Sequence, residues 1–134
     1  MGAVSMNESF DLNQAADTQV LVILRHGPQG GSLLREGLDA ALVAAAFGRN
    51  VSLVFMGEGV MALCRGQDVD ALGQKATAAT LEMLQMYDIT DVRVEAAAMT
   101  SMGLSEDDLI LPVLPLPAKA LATVIAAAPL VLTF

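Results

Sequence analysis

Four groups of residues carry side chains able to do chemistry. The first is Arg25-His26-Gly27, directly after a short apolar run. A histidine so placed could take a phosphoryl group or carry a proton. Phosphohistidine chemistry needs a second histidine to hold the phosphate, and His26 is the only one in the chain. His26 is therefore expected as a loop residue. The second group is Gly27-Pro28-Gln29-Gly30-Gly31-Ser32, which at a helix start could cradle an anion on backbone N–H groups. It lacks both the Gly-Lys-Ser/Thr ending of a P-loop and the spacing of a dinucleotide loop, so its glycines are expected to form a turn. The third is Cys64, followed by Arg65. A neighbouring guanidinium favours the reactive thiolate, and a persulfide carrier needs only one such cysteine. Against that, Met61-Ala62-Leu63-Cys64 reads as an apolar face, where a free cysteine is a small buried hydrophobe. The fourth is a set of acids, Glu36, Asp39, Glu58 and Glu95, with Arg35 four residues before Asp39. Their spacing marks solvated faces more than an acid/base pair.

Composition removes several other classes. The 134 residues hold 15 Asp and Glu against 7 Lys and Arg, a net charge of −8. The basic residues are scattered, and there is no Trp, so neither a phosphate-binding surface nor a base-stacking platform is expected. One cysteine excludes an intrachain disulfide, and one cysteine with one histidine gives no zinc set. The eight methionines read as adaptable apolar filler. No metal and no cofactor is expected. With 54% hydrophobic and 16% charged residues, the chain is the reverse of a disordered one. Residues 1–17 are acidic, lack the basic start of a secretory leader and read as a flexible tail; Met6 is an alternative start. The longest apolar stretch, Ala120–Phe134, is too short for a bilayer and contains Pro129. The expected compartment is the cytoplasm.

The elements that must position these residues alternate in type. Val20–Leu24 is a continuous apolar run, expected as a strand buried on both faces. A helix should follow from a Ser32 cap to Phe47, stopped by Gly48, with Leu34, Leu38, Leu42 and Ala45 inward. Val51–Phe55 is a second strand, and Val60–Cys64 a short helix. Asp70 opens a long helix to Met86 with Leu72, Ala76, Ala79, Met83 and Met86 as its apolar face. Further strands are expected at 92–96, 109–113 and 130–134, with a helical turn at 97–103. A last helix should run from Pro117, at its first position, to Ala127. This alternation predicts one α/β domain over residues 18–134, a three-layer α/β/α sandwich around a mainly parallel five-stranded sheet. Ligands in such sheets bind beyond the carboxyl ends of the strands, here Arg25–Gly31, Met56–Gln67 and Ala97–Gly103.

Several segments together resemble one family: Arg25–Gly31, Leu34-Arg-Glu-Gly-Leu-Asp-Ala40, Phe55-Met-Gly-Glu-Gly-Val60 and Leu63-Cys-Arg-Gly-Gln67. Leu84–Ile89, Ala96–Leu104 and Leu130–Phe134 continue the series. In this order they resemble the DsrE/DsrF-like sulfur-relay proteins, in the TusC/DsrF branch. The resemblance implies a subunit that joins TusB-like and TusD-like paralogues in a heterohexamer. Such a complex passes persulfide sulfur toward 2-thiouridine at the tRNA wobble position, or serves dissimilatory sulfur metabolism. It implies a catalytic cysteine on the TusD-type subunit, at the end of the strand before an Ala-rich turn. This chain reads Val94-Glu95-Ala96 there, in keeping with a branch that lacks the active thiol. No catalytic residue is then expected, and Arg25, His26, Gly30, Arg35, Glu36, Glu58 and Arg65 remain loop or pocket candidates. The alternative is a free-standing homo-oligomer carrying sulfur on Cys64. An apolar composition with few helix charges also points to burial against other subunits.

Overall fold

The computed structural model describes residues 17–28, 31–65 and 71–134. The expected tail lies outside these residues except for Asp17. Five parallel strands form one sheet in the order β4-β3-β2-β1-β5. They are β1 (Val20–Leu24), β2 (Val51–Phe55), β3 (Asp91–Glu95), β4 (Leu114–Leu116) and β5 (Leu130–Thr133). The helices are α1 (Leu33–Ala46), α2 (Ala71–Met86), α3 (Ala96–Met102) and α4 (Ala118–Ala127), with 3-10 turns at Gly57–Leu63 and Glu106–Asp108.

Strand order explains how the layers fill. The chain steps β1 to β2 to β3 to β4 in one direction, then returns across the sheet to β5. Right-handed crossovers put helices of one stepping direction on one face and the returning helix on the other. The core follows that division. Val20, Val22, Leu24, Leu53, Phe55, Val92 and Val94 form one buried cluster with Leu34 and Leu38 of α1, Leu81 and Leu84 of α2, and Ala98 and Met99 of α3. Leu21, Ile23, Val54 and Leu116 meet Leu121 and Val124 of α4 on the other face. Val22 is 0% and Ile23 6% exposed, so β1 is buried on both faces as its continuous apolar run requires.

Several local details differ from expectation. The fourth strand is not 109–113 but Leu114–Leu116. Residues just before it pair elsewhere: Leu109 bridges Cys64 antiparallel, and Ile110 N–H donates to Leu63 O at 2.8 Å. Pro115 stands within β4, tolerated because the strand is an edge. Pro117 precedes α4 as its cap, with its carbonyl accepting from Leu121 N–H at 3.0 Å. Ser32 makes no side-chain cap; its hydroxyl donates to Glu36 Oε2 at 3.2 Å. The 60–64 helix is a 3-10 turn starting earlier, at Gly57. Among the described side chains of α2, Leu81 and Leu84 are inward, while Ala79, Met83 and Met86 face outward; the side chains of Leu72 and Ala76 lie outside the described ones. Two helical stripes compete there, and the stiffer leucines fill the core while flexible methionines accept the surface. Gly48 does end α1, at φ +84.

Candidate functional site

In an open α/β sheet the ligand crevice forms at the carboxyl ends, where the strand order reverses. Here the reversal lies between β1, which leads on to β2, and β5, which is reached by the return crossover from β4. The ladder between them continues past the strand ends: Phe134 N–H donates to Ile23 O at 2.9 Å and Arg25 N–H to Phe134 O at 2.8 Å. Arg25 and His26 follow directly and are exposed. Gly30 lies outside the described residues.

The Gly57–Leu63 turn is pressed against this point. Met56 N–H donates to Leu24 O at 3.0 Å. Gly59 then lies over the Leu24 carbonyl so closely that a Cβ would overlap it. Gly27 faces the same turn, where a Cβ would come 3.3 Å from Glu58 O. On its other side, Gly57 N–H donates to Glu95 Oε1 at 3.0 Å, tying the end of β2 to the end of β3. Glu95→Ala should therefore free the Gly57 N–H and speed its hydrogen exchange, with global stability falling by about 1 kcal/mol. Unchanged exchange at Gly57 would show that the carboxylate does not hold the turn.

The sequence candidates thus gather at one end of the sheet without forming a catalytic cluster. Arg35 and Glu36 sit in the first turn of α1, exposed, and Glu58 is exposed in the 3-10 turn. Among the described residues, no His/Cys/Asp/Glu group could hold a metal. Cys64 is half-buried and within 3.9 Å of Val60 O. Arg65 serves the fold: its backbone N–H donates to Asp108 O at 2.8 Å and its Nε to Leu109 O at 3.0 Å. The guanidinium beside Cys64 in sequence thus secures the 108–110 segment.

A polar network at the opposite end of the sheet escapes a reading of the sequence. Arg93 is wholly buried on the α4 face and donates from Nε to Asp91 Oδ1 at 2.8 Å and from Nη2 to Asp91 Oδ2 at 3.1 Å. Ser52 Oγ donates to Asp91 Oδ2 at 2.6 Å. That uses the only hydroxyl hydrogen of Ser52, so the Thr18 hydroxyl must donate in their 2.6 Å contact. The available signal is the alternation Asp91-Val-Arg-Val-Glu95, which sets a charged face against an apolar one.

Fold and site together define a parallel α/β/α domain whose strand-end loops are packed around backbone contacts, with its one thiol set aside. Residues 18–134 match the DsrE/DsrF-like family, and the chain belongs to it. It is 37% identical over 102 residues to a TusC homolog of Pseudomonas aeruginosa, covering 76% of this chain and 86% of that protein. It is 34% identical over 86 residues to the intracellular sulfur oxidation protein DsrF of Allochromatium vinosum, covering 64% of this chain and 63% of that one. Among solved structures, the ychN protein of E. coli shares the fold with a TM-score of 0.74 at 24% identity, covering 87% of this chain and 99% of that one.

Proposed function

We propose that this chain is a non-catalytic subunit of a sulfur-relay complex, built with TusB-like and TusD-like paralogues into a heterohexamer in the cytoplasm. The relay passes persulfide sulfur toward 2-thiouridine at the tRNA wobble position; in a DsrF-like setting the same subunit would serve sulfur oxidation. The observation that carries the reading is the state of Cys64. A relay thiol must be reachable in line by a partner thiol. Cys64 is half-buried in a bridge to Leu109, and the end of β3 carries Glu95 instead of a thiol. The TusC and DsrF relatives support the branch. Large apolar side chains left outside support subunit contacts: Phe47 is 82% and Met86 80% exposed. No helix among the described residues is long and apolar enough to cross a membrane.

The test is transfer of ³⁵S from a persulfide donor through the complex assembled with its paralogues, wild type against Cys64→Ser. Transfer should survive the substitution, with a stability loss of order 1 kcal/mol. Lost labelling of this chain and lost downstream transfer, with assembly intact on native mass spectrometry, would make Cys64 a relay station. Failure to co-assemble with TusB-like and TusD-like chains would favour the free-standing homo-oligomer.

A further inference from the structure

We infer that the outer edge of β5 pairs antiparallel with β5 of a second copy of this chain, around a two-fold axis at Leu132, joining two sheets into one of ten strands. The backbone register carries this. Phe134 directs both its N–H and its C=O toward β1. Backbone direction alternates along a strand, so Leu132 and Leu130 also face β1, and Val131 and Thr133 turn both their groups outward. Among the described residues no strand lies beyond β5, and neither Val131 nor Thr133 has an outward backbone partner. A strand edge left in this state is a template for another strand.

The edge also lacks the usual protection. No charged side chain occurs from residue 120 to residue 134, and Pro129 stands before the strand, not within it. In a chain of net charge −8, two copies can meet here without opposing like-charged side chains. The strand continues both core faces, since Leu132 and Phe134 pack against one cluster and Val131 against the other. Leu130 is 50% exposed beside them.

A second copy fits because the outward groups are self-complementary. In the two-fold arrangement Val131 of one copy lies opposite Thr133 of the other, and each such pair exchanges two N–H···O=C bonds. Four hydrogen bonds result. Leu132 then faces its own symmetry mate as the closely spaced, non-hydrogen-bonded pair, with Cα atoms ~4.5 Å apart. This dimer stands independently of the sulfur-relay reading, and within a larger assembly it supplies a two-fold junction between two copies of this chain.

Sedimentation of the full chain over a concentration series should show a monomer–dimer equilibrium. Thr133→Pro removes an N–H that only the dimer uses, on an edge where proline is tolerated. It should weaken dimerisation about 10- to 100-fold, because two of the four hydrogen bonds are lost, with circular dichroism unchanged. In a Cys64→Ser background, Leu132→Cys should form an intersubunit disulfide on mild oxidation, since its Cα spacing suits one. Leu130→Cys should not, because its two copies would stand about 14 Å apart. A chain that stays monomeric, a dimer indifferent to Thr133→Pro in a folded variant, or equal cross-linking from residues 130 and 132 would overturn the inference.

Discussion

Gly59→Ala is expected to destabilise the chain by about 3 kcal/mol or more, read as a drop in the denaturant midpoint at unchanged slope. The new Cβ would overlap the Leu24 carbonyl oxygen, lie 2.8 Å from the Leu24 carbonyl carbon and 3.3 Å from Arg25 N. All three are backbone atoms at the end of a buried strand, and that strand is held on both sides by β2 and β5. They cannot move without opening the ladder. The same carbonyl accepts from Met56 N–H, so relief of the clash would also break the contact that seats the 57–63 turn. Gly37→Ala is the informative comparison. Its Cβ would meet Leu24 Cδ2 and the Phe134 ring, the latter at 3.0 Å. These are side-chain atoms, which can shift without opening a ladder, and alanine in a helix regains up to about 1 kcal/mol over glycine. Gly37→Ala should therefore cost clearly less than Gly59→Ala. Equal costs at the two positions would mean that the backbone at Leu24 yields as easily as a leucine side chain.

This contrast bears on how the sequence encodes the fold. The β1, β2 and α1 segments are legible because each carries one unambiguous signal: five residues of a buried strand in a row, or a single leucine stripe closed by Gly48. The fourth strand is not, because Leu109–Val113 is as apolar as β4. What decides between them is Cys64, 45 residues earlier, which captures Leu109 in an antiparallel bridge before the chain can enter the sheet. The face of α2 is ambiguous for a related reason: its leucine and methionine stripes have equal periodicity and differ only in stiffness. The loops that gather at the carboxyl end are legible from the strand pattern alone. That Gly59 and Gly27 serve close packing is hidden, since a glycine needed for space reads the same as one needed for a turn. The role of Arg65 is hidden too, because its acceptor, Leu109 O, lies 44 residues away.

Asp91→Ala should cost about 3–4 kcal/mol, although Asp91 is partly exposed and remote from every candidate site residue. The reason is the partner it abandons. Arg93 is 0% exposed and Asp91 15%, so the carboxylate is the ion of the pair that water can reach. Removing the arginine would leave an acid able to hydrate; removing the acid takes the carboxylate acceptor of Nε and Nη2 from a guanidinium buried under α4. Ser52 would lose its acceptor in the same step, and the chain of hydroxyls back to Thr18 would lose its anchor. Ser52→Ala alone removes one neutral donor and should cost only about 1 kcal/mol. The decisive comparison is the double substitution. If the damage in Asp91→Ala comes from a buried charge that has lost its carboxylate, Arg93→Met in that background should recover stability, because a methionine of similar length fills the space without demanding an acceptor. The cost of Asp91→Ala should also persist from low salt to about 1 M, since a pair this buried is poorly screened. Urea midpoints for the two single variants and the double variant settle the matter. A double variant no more stable than Asp91→Ala would show that Arg93 is held chiefly by other partners and that Asp91 acts through the shape of the β2–β3 end.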